Sequence, residues 1–373
     1  MMRIGFDAKR AFANKTGLGN YSRFILGALA EHQPGHEYLA FTPKNNRNLF
    51  DEFPSGSIHY PIGFMDRKLP AYWRYARITR QLREEKVDLY HGLSNEIPQG
   101  LQQAGIRSVV TIHDLIFERL PQLFKPVDRA IYRHKFQSAC RRADSVVAVS
   151  DQTRRDLIEL YGVDDAKIRV IYQDCNPVFQ NRLALAERDR TCAEYGISGP
   201  FVLCVGTLEE RKNQHRLVES FARLQNHDFT LVLVGRPTGY VKKIQETISR
   251  LKLENRVKLL HNVSTPHLPA LYQSAEVFAY ISIYEGFGIP IVEALHSGTA
   301  VLAAKGSCLE EAGGPGGLYA DPYQTENISE QLQKLVTDVH LRNALSEAGR
   351  AHVKEFAGKK IAAQMVGLYE SLR

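Results

Sequence analysis

The chain has 373 residues, 44% apolar and 24% charged, with a net charge of +7 at neutral pH. That length exceeds what one hydrophobic core ordinarily supports, so two domains are expected, and the composition excludes a disordered or low-complexity chain. No run of about 18 apolar residues occurs, which argues against a transmembrane helix; five scattered cysteines without C-x-x-C spacing argue against a disulfide framework or a zinc site.

The opening MMRIGFDAKR leads directly into a strand-like run without the apolar core of a signal peptide, so a reducing cytoplasm is the expected setting. Short β-branched runs then alternate with helical patterns. RIGFD, EYLAFT, SIHYPI, VDLYH, SVVTIH, SVVAVS and IRVIY read as strands in the first half. FVLCVG, FTLVLVG, VKLLH, EVFAYI and AVLAA read as strands in the second. Continuously apolar strands separated by helices predict α/β architecture, with parallel sheets covered on both faces. The polar stretch 178–199 interrupts the pattern once. The expected organisation is a doubly wound domain over 1–177, a linker over 178–199, a second doubly wound domain over 200–355, and a final helix over 356–373. That helix places Ile361, Met365, Leu368 and Leu372 on one stripe.

Five stretches carry candidate chemistry. In TGLGNYSRFI, Gly17 and Gly19 precede a helix, where backbone can approach an anion or merely turn. The third glycine of a dinucleotide fingerprint is missing, which disfavours a nicotinamide dehydrogenase. In RKLPAYWRYARITRQLR, six basic residues occur with no acidic one, and the first 177 residues hold +6 of the net charge. Arg74, Arg77 and Arg80 at helical spacing, with Arg67, Lys68 and Trp73, suit either an anionic membrane surface or a solvated face. No recognised nucleic-acid motif accompanies this charge, so a nucleic-acid partner is not expected. TIHDLIF ends an apolar strand on His113 and Asp114, which either serve a substrate by hydrogen bonding or proton transfer, or form a structural pair.

The other two lie in the second half. VGTLEERKN ends a buried strand at Gly206 and places Arg211 and Lys212 at a helix start, an arrangement suited to a diphosphate. YEGFGIPIVEAL carries Glu285 in a glycine-flanked loop and Glu293 in the expected first turn of a helix begun by Pro290. Carboxylates in such a crevice can each accept paired hydroxyls of a sugar or ribose, with backbone N–H groups of Gly286, Phe287 and Gly288 beside them.

SIYEGFGIPIVEAL, VGTLEERKN, TGLGNYSR and ADSVVAVSDQTRRDLIELYGVDDAKIRVIY, in this order, resemble the retaining glycosyltransferases of family four over nearly the full length. The resemblance implies the GT-B fold, two Rossmann-like domains facing a cleft with the last helix crossing back onto the first. It implies that Arg211 and Lys212 bind the donor diphosphate with Gly17, Gly19 and Gly206, that Glu293 holds ribose hydroxyls, and that Glu285 with Gly286–Gly288 grips the sugar. His113 and Asp114 would lie near the transferred hexose on the acceptor side. The absence of a D-x-D triplet leads to the expectation of no metal and no cofactor. The expected donor is GDP-mannose first and a UDP-hexose second. The expected acceptor is a lipid-linked or growing surface glycan at the cytoplasmic membrane face. A GT-B-shaped epimerase, a glycan phosphorylase and a non-catalytic glycan-binding relative are the competing classes.

Overall fold

The computed structural model describes all residues except 15, 45–48 and 52. The chain divides into two compact units, Met1–Asp174 with Phe356–Arg373, and Cys175–Glu355.

In the first unit, β1 (Arg3–Asp7), β2 (Glu37–Phe41), β3 (Ile58–His59), β4 (Leu89–Gly92), β5 (Arg107–Ile112), β6 (Ser145–Ala148) and β7 (Ile168–Val170) form one parallel sheet. Its order is β3-β2-β1-β4-β5-β6-β7. The reason is legible in the strands: Val109, Val110, Ile112, Val146, Val147 and Ala148 are fully buried, on both faces of the sheet. Each larger aliphatic side chain so buried contributes about 1.5–3 kcal/mol. The helix Asp151–Tyr161 follows β6 because Ser150 accepts a hydrogen bond from the Thr153 N–H, and it stops where Gly162 turns left-handed at φ 62°. The last helix, Gly358–Ser371, packs on the helix Gly17–His32 and buries Ile361, Met365 and Leu368.

In the second unit, β8 (Phe201–Val205), β9 (Thr230–Val234), β10 (Val257–Leu260), β11 (Val277–Tyr280), β12 (Ala300–Ala304) and β13 (Gly317–Ala320) form a second parallel sheet. Its order, β10-β9-β8-β11-β12-β13, reverses between β8 and β11. In open α/β sheets the crevice at such a reversal, beyond the carboxyl ends of the strands, is where ligands bind. The loops after β8 and β11 are therefore the ones to examine.

Several expectations are corrected. The stretch 178–199 is not an unstructured linker: it contains the helix Leu185–Glu194, buries Thr191 and Cys192, and belongs wholly to the second unit, whose boundary falls after Asp174. β13 was not predicted, because its short GLYA run follows three glycines and a proline that read as a loop. Gly17 and Gly19 lie inside the helix Gly17–His32 and not in a loop before it. Gly19 is needed there for a different reason, since a Cβ would sit 1.9 Å from the Asn14 carbonyl oxygen. Its N–H is committed to the Thr16 carbonyl at 2.9 Å, so it is not offered to a ligand.

The basic segment is the largest correction. Trp73 is 1% exposed and packs in the core, so it is no membrane anchor. Residues Trp73–Arg77 form a π-helical turn, wider than an α-turn, and the three arginines do not share one open face. Arg74 is buried against Asp7 at the end of β1, Arg77 pairs with Asp66 at 2.7 Å, and only Arg80 is largely exposed, beside Glu84. The exposed apolar residues are instead Ile62, Phe64, Met65, Leu69 and Tyr72. Arg67 donates to the Pro61 carbonyl and the Lys68 ammonium lies 4.5 Å from the Phe64 ring centre, so both cations belong to this apolar segment. Among the described residues no helix is long and apolar enough to cross a membrane.

Candidate active site

The loop after β8 folds as a short 3-10 turn, Glu210–Lys212, closed by Asn213 in the left-handed region at φ 61°. Asn213 is held there by its side-chain amide, which donates to the Pro322 carbonyl at 2.7 Å, and the helix Gln214–Phe221 begins immediately after. This geometry turns Arg211 and Lys212 inward. Their side chains are 14% and 12% exposed, and both reach Glu285 in the loop after β11.

Glu285 Oε1 is a hub. Arg211 Nη1 lies 2.6 Å from it, Lys212 Nζ 2.5 Å, the Ser282 hydroxyl 2.6 Å and the Tyr280 hydroxyl 3.0 Å. Lys212 also donates to the Tyr280 oxygen. Arg211 is fixed further by the Tyr284 carbonyl and the Glu209 carboxylate, each at 2.6 Å. Burial alone would push the Glu285 carboxyl up, but Arg211 and Lys212 overcome it and hold its pKa down to about 2. Glu285 is therefore ionised throughout the physiological range. The Ser282 and Tyr280 hydroxyls each spend their one proton on it, whereas Lys212 has three N–H donors, two of them used here, and the Arg211 fork has five. A second anion can join the two cations without displacing Glu285.

Gly206 suits its place by its backbone, at φ 150°, since a Cβ there would stand in ordinary contact with Lys212 Cε at 3.7 Å and the Tyr280 ring at 3.8 Å. Gly288, at φ 122°, is required at the start of the helix Ile289–Ser297, since a Cβ would meet Leu309 at 2.8 Å. Phe287 is buried, so only its backbone is available to a ligand. Glu293 occupies the second turn of that helix, not the first as expected. It accepts from the buried Tyr272 hydroxyl at 2.8 Å, and burial raises its pKa to about 7 against that bond. The two glutamates thus differ: one is ionised by paired cations, the other is poised between forms.

The first unit holds the remaining candidates. His113 is 7% exposed and its Nε2 lies 2.8 Å from the Leu93 carbonyl, which can only accept, so Nε2 carries the proton and Nδ1 is an acceptor. Burial lowers its pKa to about 4, against the Leu93 bond, so the ring is neutral at physiological pH. It suits hydrogen bonding to a substrate hydroxyl and not donation of a proton from an imidazolium. Asp114 accepts from the Ile116 N–H at 3.2 Å and so helps start the turn Ile116–Arg119. Behind His113 runs a buried polar chain that the motifs did not reveal. Tyr369 of the last helix meets His91 Nδ1 at 2.7 Å, His91 Nε2 meets Thr111 at 2.8 Å, and Thr111 meets Tyr21 at 3.0 Å. The Tyr21 ring then packs edge-on against His113 at 4.6 Å.

The structure brings Arg211, Lys212 and Glu285 into contact and places Gly206 and Gly288 around them, while His113, Asp114, Gly17 and Gly19 belong to the other unit. Tyr280, Ser282 and Tyr272 were not singled out from sequence. The only sign of the first two was polar atoms interrupting the apolar run VFAYIS, and Tyr272 gave none.

Comparison with known proteins places both halves of the chain among glycosyltransferases. The family described as Glycosyltransferase Family 4 matches residues 16–173, and that described as Glycosyl transferases group 1 matches residues 193–352. The O-antigen chain mannosyltransferase B of Escherichia coli is 28% identical across all of both chains. The O-antigen chain mannosyltransferase RfbU of Salmonella typhimurium is 29% identical over 82% of this chain and 83% of its own. Among solved structures, HepE of Anabaena, in complex with UDP and glucose, superposes with a TM-score of 0.79 at 22% identity over the whole of both chains. Sucrose-phosphate synthase of Thermosynechococcus elongatus does so with 0.78 at 23% identity, over 100% of this chain and 99% of its own. At such identity these two establish the GT-B glycosyltransferase fold.

Proposed function

We propose, from the premise that the chain belongs to the family-four glycosyltransferases, that it transfers a hexose from a nucleotide-sugar donor to a growing or lipid-linked glycan. The observation that carries this is the convergence of Arg211 and Lys212 on Glu285 at the reversal point of the second sheet. Two cations with spare donors suit a diphosphate, and preorganised charge of that kind stabilises a leaving group as its bond breaks. The Glu293 carboxylate accepts ribose hydroxyls, and Glu285 with the backbone of Gly286–Gly288 meets the sugar. In the first unit, His113 Nδ1 suits accepting from a substrate hydroxyl.

In the reaction, the bond between the anomeric carbon and the diphosphate oxygen breaks, and the acceptor oxygen bonds to that carbon on the same face. The acceptor's proton passes to the departing diphosphate, so configuration is retained without a protein nucleophile. Arg211 and Lys212 meet the diphosphate charge directly, which supports a reaction indifferent to added divalent metal or chelator.

GDP-mannose is the first donor, because the full-length relative and RfbU are named as mannosyltransferases. A UDP-hexose is the second, because HepE was solved with UDP and glucose. Incubating the protein with each donor and a lipid-linked glycan acceptor tests this. Acceptor-dependent release of GDP or UDP with α-configured product from an α-linked donor is expected. Free sugar released equally without acceptor would contradict it.

The acceptor is reached peripherally at the cytoplasmic face of the membrane. Ile62, Phe64, Met65, Leu69 and Tyr72, beside Arg67 and Lys68, supply the apolar and cationic contacts such a surface needs. Phe64→Ser with Leu69→Ser should weaken binding to anionic vesicles at least tenfold with folding unchanged; equal binding by wild type and variant would remove this segment from the account.

A further inference from the structure

We infer that Tyr280 is a positioning residue for Lys212, a role resting on the diphosphate site described above. Tyr280 ends β11, is 2% exposed and presents its hydroxyl to both members of the ion pair. The direction of each bond is fixed by chemistry. The Lys212 ammonium has no lone pair, so the phenol oxygen accepts from it; the Glu285 carboxylate is ionised, so the phenol proton goes to Oε1, 3.0 Å away. The hydroxyl bridges cation and anion.

The contact is to the oxygen and not to the ring face. The ammonium, hydrogen-bonded to the hydroxyl, lies 4.8 Å from the ring centre, close to the line that leaves the ring through its oxygen. A phenylalanine would therefore keep the packing against Phe278, whose ring stacks 5.9 Å away, and lose the contact to Lys212.

Two anchors on one ammonium restrict a long, flexible side chain. A lysine held only by Glu285 can rotate its three N–H donors about that contact; held also by the Tyr280 oxygen, it has a single remaining donor with a fixed direction. Fixing a charge before the ligand arrives lowers the ordering cost of binding. Tyr280 acts through Lys212 and touches no reacting atom.

A double-mutant cycle tests this, using calorimetric affinity for GDP and UDP in the full chain. Tyr280→Phe should weaken binding of the preferred nucleotide about tenfold or more, the scale of one hydrogen bond to a charged group. Lys212→Ala should weaken it more, and adding Tyr280→Phe to Lys212→Ala should have no further effect. A merely structural tyrosine would give losses that multiply. Multiplied losses, or a Tyr280→Phe protein equal to wild type, would overturn the inference while leaving the transferase reading intact. Nucleotide binding with the expected cycle but no hexose transfer would instead overturn that reading and support Tyr280. Wild-type protein that binds neither nucleotide would sink both.

Discussion

The two units share a doubly wound parallel sheet and differ in how they hold polar groups near its carboxyl edge. The second concentrates formal charge there: Arg211, Lys212 and Glu285 form a tight ionic hub supported by Tyr280 and Ser282. The first keeps one ion pair there, Arg74 with Asp7 at the end of β1, and beyond β4 and β5 uses neutral groups, with His113 tied to a carbonyl and backed by the chain Tyr21, Thr111, His91 and Tyr369. The difference suits two tasks. A diphosphate needs charge, whereas His113 offers a hydroxyl an oriented acceptor that stays neutral at physiological pH.

The sharpest break of this contrast is Glu285→Ala. It leaves the largely buried Lys212 without its carboxylate and Arg211 with Glu209 alone, and losing one partner of a buried pair costs about 3–5 kcal/mol. Thermal unfolding should show a clear drop in midpoint. Acid should reproduce it: the folded-state pKa of about 2 lies below the ordinary 4.5, so this stabilisation is present above 4.5 and is lost as pH falls toward 2. A variant as stable as wild type would mean that the hub is solvated.

A smaller effect is expected in the neutral unit. Tyr369→Phe removes the partner of His91 Nδ1 and should cost about 1–3 kcal/mol of stability, the penalty of one orphaned buried group. Because Tyr369 belongs to the last helix, its loss should also raise amide exchange in residues 358–371. No change in either measurement would show that water replaces the hydroxyl without cost.

Smaller again is the pH response of Glu293. Its raised folded-state pKa, about 7, comes from burial, so the proton stays on in the free protein below that pH. Ribose hydroxyls donating to the carboxylate favour the ionised form. Nucleotide affinity should therefore rise with pH up to about 7, by at most about tenfold per unit, and proton release should appear on binding. Glu293→Gln should flatten the profile. A wild-type profile already flat from pH 5.5 to 8 would remove Glu293 from the binding surface.

The same contrast explains what could be read in advance. The strands were legible because both faces are covered, which makes runs such as SVVAVS and FTLVLVG almost wholly apolar. Arg211, Lys212, Glu285 and Glu293 were legible because charge stands out beside such strands. The neutral chain was not, since His91, Thr111 and Tyr369 are ordinary core residues until distant segments meet. The basic run failed for the complementary reason. Charge spacing alone cannot report that Arg74 turns inward to Asp7 or that a π turn rotates its neighbours. β13 escaped because glycine and proline mark loops more strongly than four residues mark a strand.

The most direct test of the ionic hub as the leaving-group site is the turnover number of Lys212→Ala with the preferred donor at saturation. Loss of a preorganised charge predicts a fall of about 100- to 1000-fold, with Glu209→Ala, whose carboxylate pairs with Arg211, falling far less. A Lys212→Ala enzyme that turns over at the wild-type rate would contradict the account.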